Sequence, residues 1–163
     1  MSDYFSLNLP LCRHRCLDDE SPQQVTYASP VGLRQALETL ARYFKRELGF
    51  DFMQYGADET PASKGYIPYE AYLFYEPAYD RQTHWDQRLS QRIFGACCFR
   101  QRQTDGRDAS WSLDWAWMHP YFRRRQHLTR AWITFEQRYG AGFHVEPPLS
   151  LGMEAFLNAM NQR

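Results

Sequence analysis

Lysine is almost absent from this chain: Lys45 and Lys64 are the only two among 19 basic residues, and the other 17 are arginines. Net charge is absent too, because 19 acidic residues balance them. A chain without an overall field is not drawn as a whole to nucleic acid or to an anionic membrane, so any anion it binds must be held locally. Arginine suits that task through bidentate contacts to oxyanions, although a biased genomic base composition produces the same excess. Long apolar runs are missing as well. No stretch approaches the roughly 20 apolar residues of a membrane span. The start, Met1-Ser2-Asp3-Tyr4, has no charged segment leading into an apolar one, as a secretory signal has. Four cysteines, of which Cys97 and Cys98 are adjacent, do not make a secreted disulfide framework. The expectation is a cytoplasmic protein with reduced thiols.

What is abundant is aromatic side chain. Eleven Phe, eleven Tyr and five Trp predict a core of large rings, several with a polar end that needs a partner. The 163 residues suffice for one domain with a substantial core, and they contain no internal repeat. From about Pro30 to Leu48, the residues Leu33, Ala36, Leu37, Leu40, Ala41, Phe44 and Leu48 share one helical face. Ser29 as N-cap, Pro30 in the first turn and Gly49 past the end bound this helix. Val25-Thr26-Tyr27 and Phe50 to Tyr55 read as short extended pieces, residues 1 to 24 as a strand or an arm, and Gly56 to Gly65 as a loop. Strands are predicted from Tyr69 to Tyr75, Ile93 to Gln101 and Trp111 to His119. The connector at Asp105-Gly106-Arg107-Asp108 is a hairpin turn, which pairs the last two strands antiparallel. Residues 77 to 92 read either as a helical turn lined by Trp85, Leu89 and Ile93 or as a long loop. In the third strand Trp111, Leu113, Trp115 and Trp117 fall on one face, and Ser112, Asp114, Ala116 and Met118 on the other.

A second helical stripe, Leu128, Ala131, Trp132, Phe135 and Tyr139, ends at Gly140-Ala141-Gly142. An extended piece, Phe143 to Glu146, then meets Pro147-Pro148, and a closing helix starts at Ser150 and buries Met153, Phe156, Leu157 and Met160. The whole is a mixed α+β pattern. Between the third strand and the second helix lies Pro120-Tyr121-Phe122-Arg123-Arg124-Arg125-Gln126-His127-Leu128-Thr129, which sets three cations in the first turn of a helix. That end of a helix is already partly positive, so the placement costs a few tenths of a kcal/mol or more unless an anion is bound there. Cys12-Arg13-His14-Arg15-Cys16 gathers three metal-ligating side chains. On a strand they would stand about 6 to 7 Å apart on one face, too far to share one ion, so no metal is expected.

The order of elements and the local residues resemble the GNAT superfamily of N-acetyltransferases. There the fourth strand runs through a hydrophobic-x-Pro step into an Arg/Gln-x-x-Gly-x-Gly/Ala turn. Here Met118-His119-Pro120 is followed by Arg123-Arg124-Arg125-Gln126-His127-Leu128, with Gln126 and Leu128 in place of the two glycines. The segment Phe143 to Ser150 looks like the end of the cohesin-acetyltransferase branch, with Glu146 at its acidic position before proline.

The resemblance implies a central, mostly antiparallel twisted sheet flanked by helices, with acetyl-CoA as co-substrate and an amine as acceptor. Backbone groups of Trp117 and Met118 would hold the pantetheine arm, and Arg123, Arg124, Arg125, Gln126, His127, Leu128 and Thr129 the pyrophosphate. Glu146 or Asp114 would take the ammonium proton. Each assignment stands beside a plainer one: a solvated basic turn, core tryptophans, an exposed Glu146, and an Asp114 that pairs with arginine. No tyrosine lies between Ser150 and Met160 to serve as acid, which leaves Tyr139. The missing glycines also fit a degenerate domain kept for binding or regulation. A nucleotide or RNA binder is a third reading, disfavoured because the arginines form one cluster and not a stripe.

Overall fold

The computed structural model describes residues 7–85, 87–103 and 106–162. Six strands and three helices follow in the order β1 (Leu11–Cys12), β2 (Gln23–Val25), α1 (Val31–Leu48), β3 (Tyr69–Pro77), β4 (Gln91–Arg102), β5 (Ser110–Met118), α2 (His127–Tyr139), β6 (His144–Val145) and α3 (Leu151–Asn161). The strands form one sheet in the order β2-β3-β4-β5-β6, with β1 paired to the start of β4. All pairings are antiparallel except that of β5 with β6. This is the expected α+β class, a mostly antiparallel sheet with flanking helices.

The amphipathic stripe of α1 buries Leu33, Ala36, Leu37, Leu40, Ala41 and Phe44 against one face of the sheet. Its C-terminus closes on Gly49, whose φ of 71° is the left-handed conformation that glycine adopts without strain. The start differs from the sequence reading. Pro30 is the N-cap, and the Ser29 hydroxyl accepts the Thr26 N–H and leaves the helix without a side-chain cap. On the opposite face, α2 buries Ala131, Trp132 and Phe135 with Phe74, Phe94, Phe99 and Phe122, and the half-buried Met153, Phe156, Leu157 and Met160 of α3 pack beside them. Ser150 caps α3, its hydroxyl accepting the Met153 N–H at 3.1 Å. Strand β4 lies between the two cores and sends Cys98 into one and Cys97 into the other.

Three local readings are corrected. Residues 50–55 form bends and not a strand, and the extended piece before α1 is Gln23–Val25 and not Val25–Tyr27. In the ambiguous stretch, a short 3-10 turn at Tyr79–Arg81 leads into a loop on which Trp85 is 97% exposed, so no helical face forms there. The pairing of β4 with β5 is antiparallel as expected, whereas Asp105 of the predicted connector lies outside the described residues, as does the Met1 to Tyr4 segment.

The most consequential correction is in β5. Its register slips by one residue, since Cys98 faces Trp115 and Phe99 faces Leu113, which leaves Asp114 as the extra residue of a β-bulge. A bulge resets the two-residue alternation. Trp115 and Trp117 therefore join the α1 core, while Leu113 and the half-buried Trp111, Ala116 and Met118 line the α2 core. Gly95, opposite Met118, allows a close approach: a Cβ there would lie 3.0 Å from Met118 Cε, 3.1 Å from its Sδ and 3.3 Å from the Trp117 carbonyl oxygen.

Candidate functional site

Strands β5 and β6 run parallel, yet they pair only at Ser112 with His144 and Leu113 with Val145. The last bond between them is Glu146 N–H to the Leu113 carbonyl at 2.9 Å. Pro147 and Pro148 follow and offer no N–H, so β6 cannot extend the ladder. Strand β5 continues through Asp114 to Met118 without a paired strand on that side among the described residues. Five residues at about 3.3 Å each give a free edge about 16 Å long, closed at Leu113 and open toward the basic turn.

Strand alternation says which peptide groups face the gap. His119 donates its N–H to the Phe94 carbonyl on β4, and Trp117 stands opposite Ala96. The peptide groups of Trp117 thus turn to β4, and those of Ala116 and Met118 turn outward. Of the two residues expected at the edge, Trp117 and Met118, only Met118 turns its peptide groups to the gap, and Ala116 is the other residue that does so. Motif position puts the edge groups on two adjacent residues, whose peptide groups turn to opposite edges of a strand. The Trp117 side chain lies in the α1 core beside Tyr43, at 5.4 Å between ring centroids.

The open end leads into the arginine turn. A 3-10 turn at Pro120–Phe122 brings the chain round, and His119 Nδ1 accepts the Tyr121 N–H at 3.1 Å. Arg124 and Gln126 then adopt φ of 62° and 66°, in the left-handed region that costs a residue with a Cβ about 1–2 kcal/mol. Gln126 thus holds a backbone conformation that glycine adopts without strain. It is also the N-cap of α2, with no side-chain cap, and its carbonyl accepts the Arg130 N–H. The first-turn N–H groups of His127, Leu128 and Thr129 have no partner within the described residues and carry the positive end of the helix dipole. The Leu128 side chain points back into the α2 core, so it leaves those donors uncovered.

The arginines behave differently from one another. Arg123 donates Nε–H to the Met118 carbonyl at 2.8 Å and holds both carboxylate oxygens of Glu47 at 2.7 and 3.0 Å. Arg125 lies over the Tyr121 ring at 4.3 Å and donates to the Tyr121 carbonyl. Arg124 is exposed, with no hydrogen bond or ion pair among the described residues. Burial lowers the pKa of His127, helped by Arg130 and Arg125, and burial followed by Arg123 lowers that of His119. Both imidazoles are thereby biased to the neutral form.

At the closed end are the two carboxylates. Glu146 accepts from the Ser112 hydroxyl at 3.0 Å, and His144 Nε2 stands 3.7 Å from its other oxygen. Its side chain is 30% exposed, so one oxygen is held and the group still meets solvent. Asp114 is 10% exposed and lies between Arg102, which donates to Oδ1, and Arg100, whose Nε is 3.6 Å from Oδ2. Arg100 is itself buried and also binds the Ile67 and Gln54 carbonyls, each at 2.9 Å, and Glu59. Asp114 is thus a member of a buried ion cluster, the plainer of its two predicted readings. Tyr139 donates its hydroxyl to Glu70 and meets Tyr72 at 2.8 Å, committed to the opposite end of α2 from the arginine turn. Ser112, His144 and Glu47 went unnoticed in the sequence, where no spacing rule links them to their partners.

The Cys12 to Cys16 segment makes contacts of its own. His14 Nδ1 contacts Cys16 Sγ at 2.9 Å, while Cys12 is buried against the Gly32 carbonyl with its thiol pushed up by burial to about 11. No group of three or more metal-ligating side chains occurs among the described residues. No helix among them is long and apolar enough to cross a membrane. No protein-family model matches the sequence, and no similar curated protein is found.

Proposed function

We infer that this chain is a GNAT-type domain that binds acetyl-CoA along the free edge of β5 and transfers the acetyl group to an amine. One observation carries the reading: a parallel strand pair that parts after Leu113 and leaves a bare edge leading straight to an uncapped helix start. That combination offers a row of backbone donors and acceptors for the pantetheine amides, then an anion-binding N-terminus for the pyrophosphate. Ala116 and Met118 provide the edge. The N–H groups of His127, Leu128 and Thr129, with Arg124 and Arg125 beside them, provide the phosphate end.

Acetyl-CoA supplies the activated acyl group. For its part the chain must orient the thioester, polarise its carbonyl through an edge N–H and accept the proton that the ammonium gives up. Glu146 fits the proton-accepting role because Ser112 fixes one of its oxygens at the closed end of the gap while the group remains open to solvent. Asp114 fits it less well, since two guanidinium groups already take up its charge.

The commitment of Asp114 to arginines and of Tyr139 to Glu70 favours a second reading, a domain that binds the coenzyme and does no chemistry. Isothermal titration with acetyl-CoA and with CoA tests what the two share. Heat with both ligands is expected, and silence with both would sink the coenzyme reading. Release of free thiol from acetyl-CoA in the presence of a panel of primary amines then separates enzyme from binding module. Glu146→Gln should abolish any such release and leave CoA affinity within about twofold.

A further inference from the structure

Among the three consecutive arginines, Arg123 is the one that turns inward. Its Nε–H fills the outward side of the Met118 carbonyl at 2.8 Å, the edge acceptor nearest the turn. Its Nη2 grips both oxygens of Glu47, in the last turn of α1, at 2.7 and 3.0 Å, and its guanidinium carbon is 5.9 Å from the Trp117 ring centroid. The side chain therefore spans from the turn before α2 to α1, across the open end of the β5 edge. Its charge is matched by Glu47, so it adds little to the field that phosphates would feel.

We propose that Arg123 and Glu47 form a latch over the free edge of β5, which an incoming coenzyme must open. The proposal rests on the coenzyme reading above. A pantetheine amide that pairs with Met118 competes with the Arg123 N–H for the same carbonyl and for the space beside it. The Arg123 side chain then works against binding, although it belongs to the motif position expected to favour it. Phosphate attraction falls to Arg124 and Arg125, neither of which is ion-paired among the described residues.

The sign of one substitution decides the matter. Arg123→Met removes a cation, so simple charge attraction requires weaker CoA binding, whereas a latch requires tighter binding. Calorimetry should give a CoA dissociation constant about three- to fivefold lower for Arg123→Met, the gain expected from releasing one partly exposed ion pair. Glu47→Ala opens the same latch from the other side, and the double variant should gain no more than either single one. Arg124→Ala, outside the latch, should weaken binding. Unchanged or weaker binding in Arg123→Met overturns the latch. If that variant unfolds, Glu47→Ala decides by the same criterion. Wild type and all variants silent to CoA would instead remove the coenzyme reading itself, an outcome distinct from binding with the wrong sign.

Discussion

The two halves of β5 live in different surroundings. At Ser112 and Leu113 the strand has a neighbour on each edge, and side chains there and just beyond enter ion and hydrogen-bond networks: Ser112 to Glu146, and Asp114 to Arg100 and Arg102. Past the bulge it pairs with β4 alone among the described residues, and the Met118 carbonyl on its outer edge accepts from the side chain of Arg123. The contrast teaches that the sheet spends its polar cross-links where the gap is shut and leaves main-chain groups bare where it is open. An exposed edge of this kind invites pairing, and here it is short, bounded by the proline pair at one end and by Pro120 at the other. The closed half thus holds the shape that the open half needs.

The sharpest way to break this difference is at the closed half. Arg100→Met should cost about 3–5 kcal/mol of unfolding free energy in urea titrations, because it strands Asp114 and Glu59 without their buried cation. Arg100→Lys should recover only part of it, since one ammonium cannot reach all of the partners. Next in size is the open half's response to salt. Arg124→Ala with Arg125→Ala should weaken CoA binding about tenfold at low ionic strength and much less at 0.5 M salt, which calorimetry across salt concentrations would register. A salt-independent loss would mean that the arginines are not phosphate contacts.

Smaller effects refine the boundary. Ser112→Ala should lower stability by about 1 kcal/mol through the lost bond to Glu146, read from the shift of the urea midpoint. Gln126→Gly should raise stability by up to about 1 kcal/mol, because relief of the left-handed backbone outweighs the added chain entropy. Gln126→Val should lower it, and the reverse order would mean that the turn is unstrained. The smallest effect concerns pH. Depressed folded-state pKa values mean that the unfolded chain binds protons first as pH falls, so the contribution of His119 and His127 is intact above their ordinary pKa near 6.5 and declines below it. A phosphate beside His127 favours its charged form, so CoA binding near pH 6 should take up protons. Titrations in buffers of different ionisation heat would detect that uptake, and Leu in place of His127 should remove it.

Much of the architecture was legible because periodicity alone determines it. The α1 stripe, the aromatic strands, the turn into α2 and the Ser150 cap follow from spacing and from a few residues with strong positional preferences. What the sequence withheld were features that depend on a partner. The bulge at Asp114 exists only in register with Cys98 and Phe99, so the faces of Trp115 and Trp117 were out of reach. The Ser29 hydroxyl had two N–H groups to choose from, and a turn claimed it before the helix did. At the site, the arginine turn and Glu146 stood out by charge and position, but their unequal roles did not. Arg123 reads like its neighbours until Glu47, 76 residues earlier, is brought beside it.

Gly95 gives the bare edge a further dependence. With no side chain there, the Met118 thioether rests close beside the Gly95 backbone, and a methyl group would force it to give way by a few tenths of an ångström. One hydrogen atom in place of a methyl group, on a strand that no ligand is expected to touch, thereby decides how closely the last residue of β5 seats its side chain.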